Sequence, residues 1–369
     1  MLKVKSSVLY APHTPIVIKE LDQEEPKSGE VRIKMLHAGV CASDHHVMAG
    51  ETNLEFPIVL GHEGSGIVDK VGANVTSVNE GDKCILSFVP SCGFCNACRT
   101  GLGNICDTNR LTGTRQYDGT FRLKDESGNE IHQFAKLGVF AEKIVIPESA
   151  CFKVDDDFPS DVACLIGCSV TTGVGGVINQ PDMFPGASIA VFGAGGVGLN
   201  ALLGAQIMNA TKIIAIDIND SKLEFSYKFG ATHTINSKSE DPVKKIMDIT
   251  DGLGADFVFD TFGSTQVVTQ MMASLKKGGT GVIIGIPPVG ATADIDAQDM
   301  VRNHKKLVGS YYGSVSPHIT FERIIDFYKS GKLKIDTVIE RAYALDQINE
   351  AYDDLVSGKG GRGVIAFPK

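Results

Sequence analysis

In the first 150 residues the apolar runs are short and broken by turn residues. The clearest are 31–36, 66–71, 84–88 and 143–146, with Gly29, Gly61, Gly72 and Gly81 between them. Such runs bounded by glycine predict strands joined by turns, so this part reads as a β-rich domain with inserted loops. The stretch 118–138 is polar and predicts a long loop or a hairpin. After about residue 170 the pattern changes. Buried-strand runs at 188–192, 212–217, 256–260 and 280–286 alternate with helical stretches at 197–208, 221–229 and 242–250. That alternation predicts a doubly wound parallel sheet with crossover helices, so the chain is of the α/β class. Beyond 312 come two further helices, 319–330 and 345–357, and a last strand at 363–367 that could pack back on the first domain.

The chain has 369 residues, which at roughly 100–200 residues per domain favours two domains. The division is 1–170 as a β-rich catalytic domain, completed by 313–369, with 171–312 as the sheet domain. The net charge is −9 and no basic block occurs, which argues against a nucleic-acid partner. The stretch 187–205 has a membrane span's length and almost no charge. Its five glycines, with Ser188 and Asn200, fit a buried strand, a tight turn and a helix better, so no membrane association is expected. No apolar segment follows Lys3 and Lys5 as a secretory signal would require. Nine cysteines, an odd number, then point to a reducing, cytoplasmic setting in which clustered cysteines bind metal.

Three constellations carry chemistry. Gly193, Gly195 and Gly198 form G-x-G-x-x-G between a predicted strand and a predicted helix, with Gly196 and Val197 inside the turn and Asp217 ending the next strand. Glycines there permit a tight turn, close approach of a pyrophosphate and close helix packing. Asp217 would accept a ribose 2′-hydroxyl and repel a 2′-phosphate, which favours NAD over NADP. Second, Cys92, Cys95, Cys98 and Cys106 lie in a polar loop. Four thiolates so spaced suit a closed tetrahedral zinc site; an iron–sulfur cluster is the competing reading. Third, Cys41, His62 and Cys168 could supply the three ligands of an open zinc site, with Asp44 and Glu63 as carboxylates around them. Spacing alone leaves these three open between ligands and ordinary core residues.

With these motifs assembled, the chain resembles the zinc-dependent medium-chain alcohol dehydrogenases over essentially its whole length. The resemblance is carried by Cys41-Ala42-Ser43-Asp44-His45-His46, Gly61-His62-Glu63-Gly64, the four-cysteine loop, Gly167-Cys168-Ser169-Val170-Thr171-Thr172-Gly173 and the glycine fingerprint. It implies a GroES-like catalytic domain, a Rossmann cofactor domain, and two zincs per chain. Cys41, His62 and Cys168 match the catalytic zinc ligands, and the four-cysteine loop matches the structural ones. Ser43, His46 and Glu63 match catalytic positions: Ser43 bonds the substrate oxygen, and His46 ends a proton relay through the cofactor ribose. An imidazole suits that end because it exchanges protons near neutral pH. Thr172 lies near the nicotinamide, Asp217 and Lys222 contact the adenosine ribose, and Arg362 pairs with the pyrophosphate.

The resemblance further implies reversible oxidation of a primary or aromatic alcohol to the aldehyde with NAD. S-(Hydroxymethyl)glutathione is the alternative substrate, and a non-enzymatic NAD-binding protein on the same fold is a remote one. Arg110, four residues after Cys106, stands where the glutathione-using class has its anchoring arginine. The polar segment near Asp118-Gly119-Thr120-Phe121 resembles an extra loop of the longer animal- and plant-like branch. Departures are Ala42, where relatives often place Arg or His, the stretch 50–56, and the absence of tryptophan. A homo-oligomer is implied, a dimer ahead of a tetramer, joined near 299–313. Outside the motifs, Cys84, Cys151, Cys164, Met271 and Met272 are expected in the core, and Lys305 and Lys306 as a surface pair.

Overall fold

The computed structural model describes residues 1–180 and 182–368. They form two compact units. The first comprises Met1–Ser169, Ser316–Phe321 and the chain from Lys334 on; the second comprises Val170–Val315 and Glu322–Leu333. Residues 322–333 thus group with the second unit, where the sequence division put all of 313–369 with the first.

Within the first unit the strand Glu30–Gly39 is central. Its alternate residues Val31, Ile33 and Met35 are wholly buried, as the period-two pattern of a strand against a core requires. It pairs with Gly64–Val71, with Lys143–Pro147 and, antiparallel, with Arg362–Ala366 from the chain's end. That last pairing brings the expected final strand back onto the first domain. The sheet continues through Lys83–Leu86 and Cys151–Val154 on one side and Ile339–Tyr343 on the other. A small closed barrel of Leu2–Leu9, Val17–Gln23, Leu123–Lys124, Glu130–Gln133 and Ile58–Val59 completes the unit. The polar stretch 118–138 supplies two of its strands as an antiparallel hairpin.

The second unit holds a six-stranded parallel sheet. Its order is His233–Asn236, Lys212–Asp217, Ser188–Phe192, Ala255–Asp260, Leu275–Ile283 and Lys306–Gly309. The chain steps outward in opposite directions from Ser188–Phe192, so the carboxyl ends of that strand and Ala255–Asp260 flank the topological switch point, the usual ligand crevice of such sheets. Stretch 187–205 resolves into the strand Ser188–Phe192, a turn and the helix Gly196–Ile207. A longer apolar helical run, Ser160–Ile178, is 83% buried and reads as a core element. Met271 and Met272 are core residues as expected. Lys305 corrects the surface-pair reading: its side chain is 6% exposed and its ammonium donates to Met272 O and the Asp299 carboxylate.

Candidate functional site

Three local features bring the dispersed trio together in the first unit. Cys41 is the extended residue that ends the central strand's continuation and caps the helix Ala42–Met48. His62 follows Gly61, whose φ of 93° turns the chain and whose hydrogen lies where a Cβ would collide with Val139 and Phe140. Cys168 sits in a π-helical turn, Ile166–Val170, a distortion that commonly marks functional positions. The ligand atoms of Cys41, His62, Cys168 and Glu63 all lie within 4.8 Å of one another, and none of the four residues exceeds 7% exposure.

These residues fit a zinc ion. His62 Nε2 is buried with no hydrogen-bond partner, a costly state that a metal bond relieves. His62 Nδ1 lies 3.0 Å from Asp44 Oδ2, and Asp44 Oδ1 accepts 2.7 Å from the Gly61 amide. A carboxylate behind the ring fixes its tautomer and leaves Nε2 as the donor atom. A hydrogen bond from Cys168 holds the Cys41 thiol well below its ordinary range, and the same bond pushes Cys168 up. A cation displaces the proton these two share. Two thiolates and one imidazole form a donor set that zinc accepts with a position left open.

Around this cluster, burial pushes the Glu63 carboxyl up to about 7, against the pull of Arg362. Arg362 Nη2 donates to Glu63 Oε2 at 2.6 Å and to Val40 O at 2.9 Å. Ser43 and His46 lie on one face of Ala42–Met48, three residues apart, while Asp44 and Val47 point inward. Ser43 Oγ is 3.8 Å from Cys41 Sγ, and His46 Nδ1 contacts Glu51 near the surface. Phe88 and Phe134 meet the His62 ring edge-on, with centroids at 5.5 and 5.4 Å. Sequence reasoning passed over both, because neither stands in a motif.

The four-cysteine loop is a second metal-sized cluster. Cys92 and Cys98 sulfurs are 4.0 Å apart, as are those of Cys95 and Cys106. A disulfide requires about 2.0 Å. The edge of a zinc tetrahedron with bonds near 2.3 Å is about 3.8 Å, close to both separations. Amides of Cys95, Cys98 and Cys92 donate to the sulfurs of Cys92, Cys95 and Cys106 and so favour thiolates. Behind the loop Lys136, wholly buried, donates to Asn109 O and Gly113 O and pins the end of the helix Asp107–Thr112. Burial pushes that ammonium down to about 8. Arg110, on the same helix, is exposed.

In the second unit the glycine fingerprint occupies the switch point. Gly193 has φ 95°, and a Cβ on Gly198 would stand 1.8 Å from Gly193 O. Gly195 faces open space, and no side chain caps the helix Gly196–Ile207 that opens at Gly196-Val197. Its first amides and dipole are therefore free for phosphate. Asp217 closes the turn by accepting from Ala194 N at 2.8 Å, and from Ile218 N and Asn219 N. Oδ1 takes both of the last two amides, and Oδ2, with one, keeps a second lone pair for a ribose hydroxyl. Thr172 is the second residue of the helix Thr171–Ile178, and Lys222 lies half-buried on Asp220–Ser226. Unpredicted were Ile218 and Phe262, 66% and 72% exposed at the carboxyl ends of two strands beside the turn.

Comparison with known proteins agrees with this geometry. Residues 27–156 match the alcohol dehydrogenase GroES-like domain, and 196–330 match the zinc-binding dehydrogenase domain. Alcohol dehydrogenase B of Mycobacterium tuberculosis is 36% identical over 375 aligned positions that span 99% of each chain. The chain belongs to the zinc-binding medium-chain alcohol dehydrogenase family. Two solved structures share this dehydrogenase's fold over 100% of both chains. An alcohol dehydrogenase zinc-binding domain protein from Burkholderia ambifaria has a TM-score of 0.95 at 32% identity. Benzyl alcohol dehydrogenase from Acinetobacter calcoaceticus has 0.92 at 33%. This dehydrogenase is thus an oxidoreductase acting on alcohols, and its matched domain is a zinc-binding one.

Proposed function

We propose that the chain is a dehydrogenase of primary aromatic alcohols, using NAD and two zincs, one catalytic and one structural. The observation that carries the substrate reading is the pair Phe88 and Phe134. Two half-buried rings standing edge-on to the metal-ligating imidazole offer π surfaces to an arene held by its benzylic oxygen. The fold shared with a benzyl alcohol dehydrogenase supports the same class.

Cys41, His62 and Cys168 would hold the zinc, which would supply Lewis acidity at the alcohol oxygen, and NAD would supply the hydride acceptor. The protein's own groups do the remaining work. Asp44 orients His62. The Ser43 hydroxyl, beside Cys41, would take the alcohol proton as it gives up its own, and His46, one helical turn on and exposed, would be the outer end of that relay, through the cofactor ribose, to solvent. Glu63 and Arg362 offset each other's charge. Thr172 faces the nicotinamide side; Asp217 and Lys222 hold the ribose and favour NAD. An assembly of two chains is supported by the edge strand Lys306–Gly309, which pairs on one side only. Nine free cysteines support a cytoplasmic site of action.

The test is NADH formation by purified protein with benzyl, cinnamyl and short aliphatic alcohols, and with formaldehyde with and without glutathione. Faster turnover of the aromatic alcohols supports the proposal; activity confined to aliphatic ones refutes the role of the two rings. Activity that requires formaldehyde and glutathione together would move the function to S-(hydroxymethyl)glutathione oxidation in the longer branch. The exposed Arg110 is the observation that keeps that second reading in play.

A further inference from the structure

The glycine turn of the second unit is held by a side chain from a neighbouring strand. Thr261 follows Ala255–Asp260, which pairs with Ser188–Phe192 in the parallel sheet. Its hydroxyl donates to Phe192 O at 2.8 Å and to Gly193 O at 3.1 Å, and its amide donates to Phe192 O at 3.0 Å. The same hydroxyl oxygen lies 2.8 Å from where a Cβ on Gly193 would stand, and 3.0 Å from one on Gly198. Thr261 therefore sits against the first and third glycines of the fingerprint at once, although it stands in none of the sequence motifs.

The peptide unit between Gly193 and Ala194 is gripped at both ends. Its carbonyl oxygen accepts from Thr261, and its N–H, on Ala194, donates to Asp217 Oδ2 at 2.8 Å. The two side chains come from the carboxyl ends of the two strands that flank Ser188–Phe192 on opposite sides. A peptide next to glycine rotates more freely than others, and the residues just after this one supply the amides for phosphate. Fixing the peptide before the cofactor arrives spares binding the cost of ordering it. Thr261 is itself anchored through its neighbour Asp260, which is wholly buried. Asp260 Oδ1 accepts from the amides of Phe262 and Gly263 at 2.9 Å each, and Asp260 O accepts from Ile284 N and Gly285 N at 2.8 and 2.9 Å.

We propose that Thr261 is a positioning residue for the nicotinamide cofactor. Its hydroxyl holds the Gly193 carbonyl and, with Asp217, sets the plane of the Gly193–Ala194 peptide, so that the amides opening the helix Gly196–Ile207 face the pyrophosphate. The inference rests on the glycine turn being the cofactor site. Without the hydroxyl the peptide can turn about Gly193, and Asp217 alone restrains it.

Thr261→Val keeps the shape and removes the donor. Thr261→Ser keeps the donor and removes the methyl, and Thr261→Ala differs from the serine variant by one oxygen. Each full-length variant, with its metals, is titrated with NADH and with ADP-ribose by calorimetry, and its thermal midpoint is read without cofactor. Both ligands are expected to bind about threefold to tenfold more weakly to Thr261→Val and Thr261→Ala, the range of one lost neutral hydrogen bond, with Thr261→Ser within about twofold of wild type. Unchanged affinity in the valine and alanine variants overturns the inference whatever their thermal midpoints, since a purely structural threonine would lower the midpoint alone. Equal weakening in the serine and alanine variants also overturns it, by assigning the effect to the methyl. A loss for NADH but not ADP-ribose does the same, because ADP-ribose carries the whole pyrophosphate. If Thr261→Val does not fold, the serine and alanine variants decide. NADPH is titrated alongside: a wild type that prefers it overturns the NAD reading only, and the variants are then compared with NADPH. A wild type that binds neither nucleotide overturns the cofactor assignment, and the inference with it.

Discussion

Arg362 and Glu63, 299 positions apart in sequence, form a buried ion pair with 2.6 Å between guanidinium and carboxylate. Neither has useful access to water: Glu63 is 0% and Arg362 5% exposed. The expectation from sequence gave Arg362 to the cofactor pyrophosphate; the structure places it against Glu63 and Val40 O, beside the metal cluster. Removing one partner leaves the other charge buried and uncompensated. Arg362→Met is expected to cost about 3–5 kcal/mol in urea unfolding. The double variant Glu63→Gln with Arg362→Met is expected to recover much of that. If the double variant is no more stable than the single one, the pair's electrostatics are not what Arg362 contributes.

The two cysteine clusters are expected to empty independently. Cys41→Ala should leave one zinc per chain by atomic emission, abolish turnover and preserve the far-ultraviolet spectrum. Cys98→Ala should also leave one zinc per chain, but lower the thermal midpoint, because the loop around Phe94 and Arg99 has little core of its own. Two zincs in either variant would remove that cysteine from its ligand set.

Gly198 and Gly195 share a motif, but the space around them differs. A methyl at Gly198 meets Gly193 O at 1.8 Å, while one at Gly195 meets nothing within 4 Å. Gly198→Ala is expected to destabilise the second unit by about 1–3 kcal/mol or more, as overpacking does. Gly195→Ala is expected to change stability by less than about 0.5 kcal/mol. Its effect should fall on nicotinamide cofactor affinity, read by fluorescence titration of NADH. Equal stability losses would contradict the distinction between packing and ligand approach.

Acid stability has a specific contributor in the first unit. Burial works to raise the Asp118 carboxyl, but hydrogen bonds from Lys27, Thr120 and Arg122 outweigh it and hold it below the usual carboxylate range. Arg122 is itself wholly buried and bonds Glu30 at 2.6 Å. A depressed carboxylate contributes stability that is present above its unfolded pKa and lost as pH falls through the folded one. Asp118→Asn should therefore be less stable than wild type at neutral pH, with the difference shrinking from about pH 4 downward. A difference that stays constant down to strong acid would assign the effect to the Asn side chain rather than to charge.

The accuracy of the sequence reading varied with how local the signal was. The strands Ser188–Phe192 and Lys212–Asp217 were legible to the residue, since buried parallel strands are continuous apolar runs. The barrel strand Leu2–Leu9 was missed because Lys3, Lys5, Ser6 and Ser7 interrupt its apolar residues. In the structure both serines are buried, and the strand pairs along seven positions with Val17–Gln23. The helical run Ser160–Ile178 was missed for its glycines, which buy close approach: a Cβ on Gly173 would lie 2.4 Å from Val197 O. Lys305 read as half of a surface pair and Lys136 was passed over, because nothing in their neighbours along the chain announces burial.

By itself the sequence determined the ligand chemistry and the cofactor turn. Which atoms can bind zinc is a property of cysteine and histidine, and a glycine's freedom near positive φ is local to one residue. Hence the four-cysteine loop and the fingerprint were readable from spacing within about 15 residues. Only the tertiary structure decided what surrounds the catalytic ligands. Strand Arg362–Ala366 brings Arg362 onto Glu63, helix Ile348–Val356 brings Tyr352 against Phe140, and Phe88 and Phe134 close on His62. Those contacts follow from sheet pairing and core packing between segments far apart in the chain. A periodic pattern states which face of an element is buried, but not against which partner it is buried.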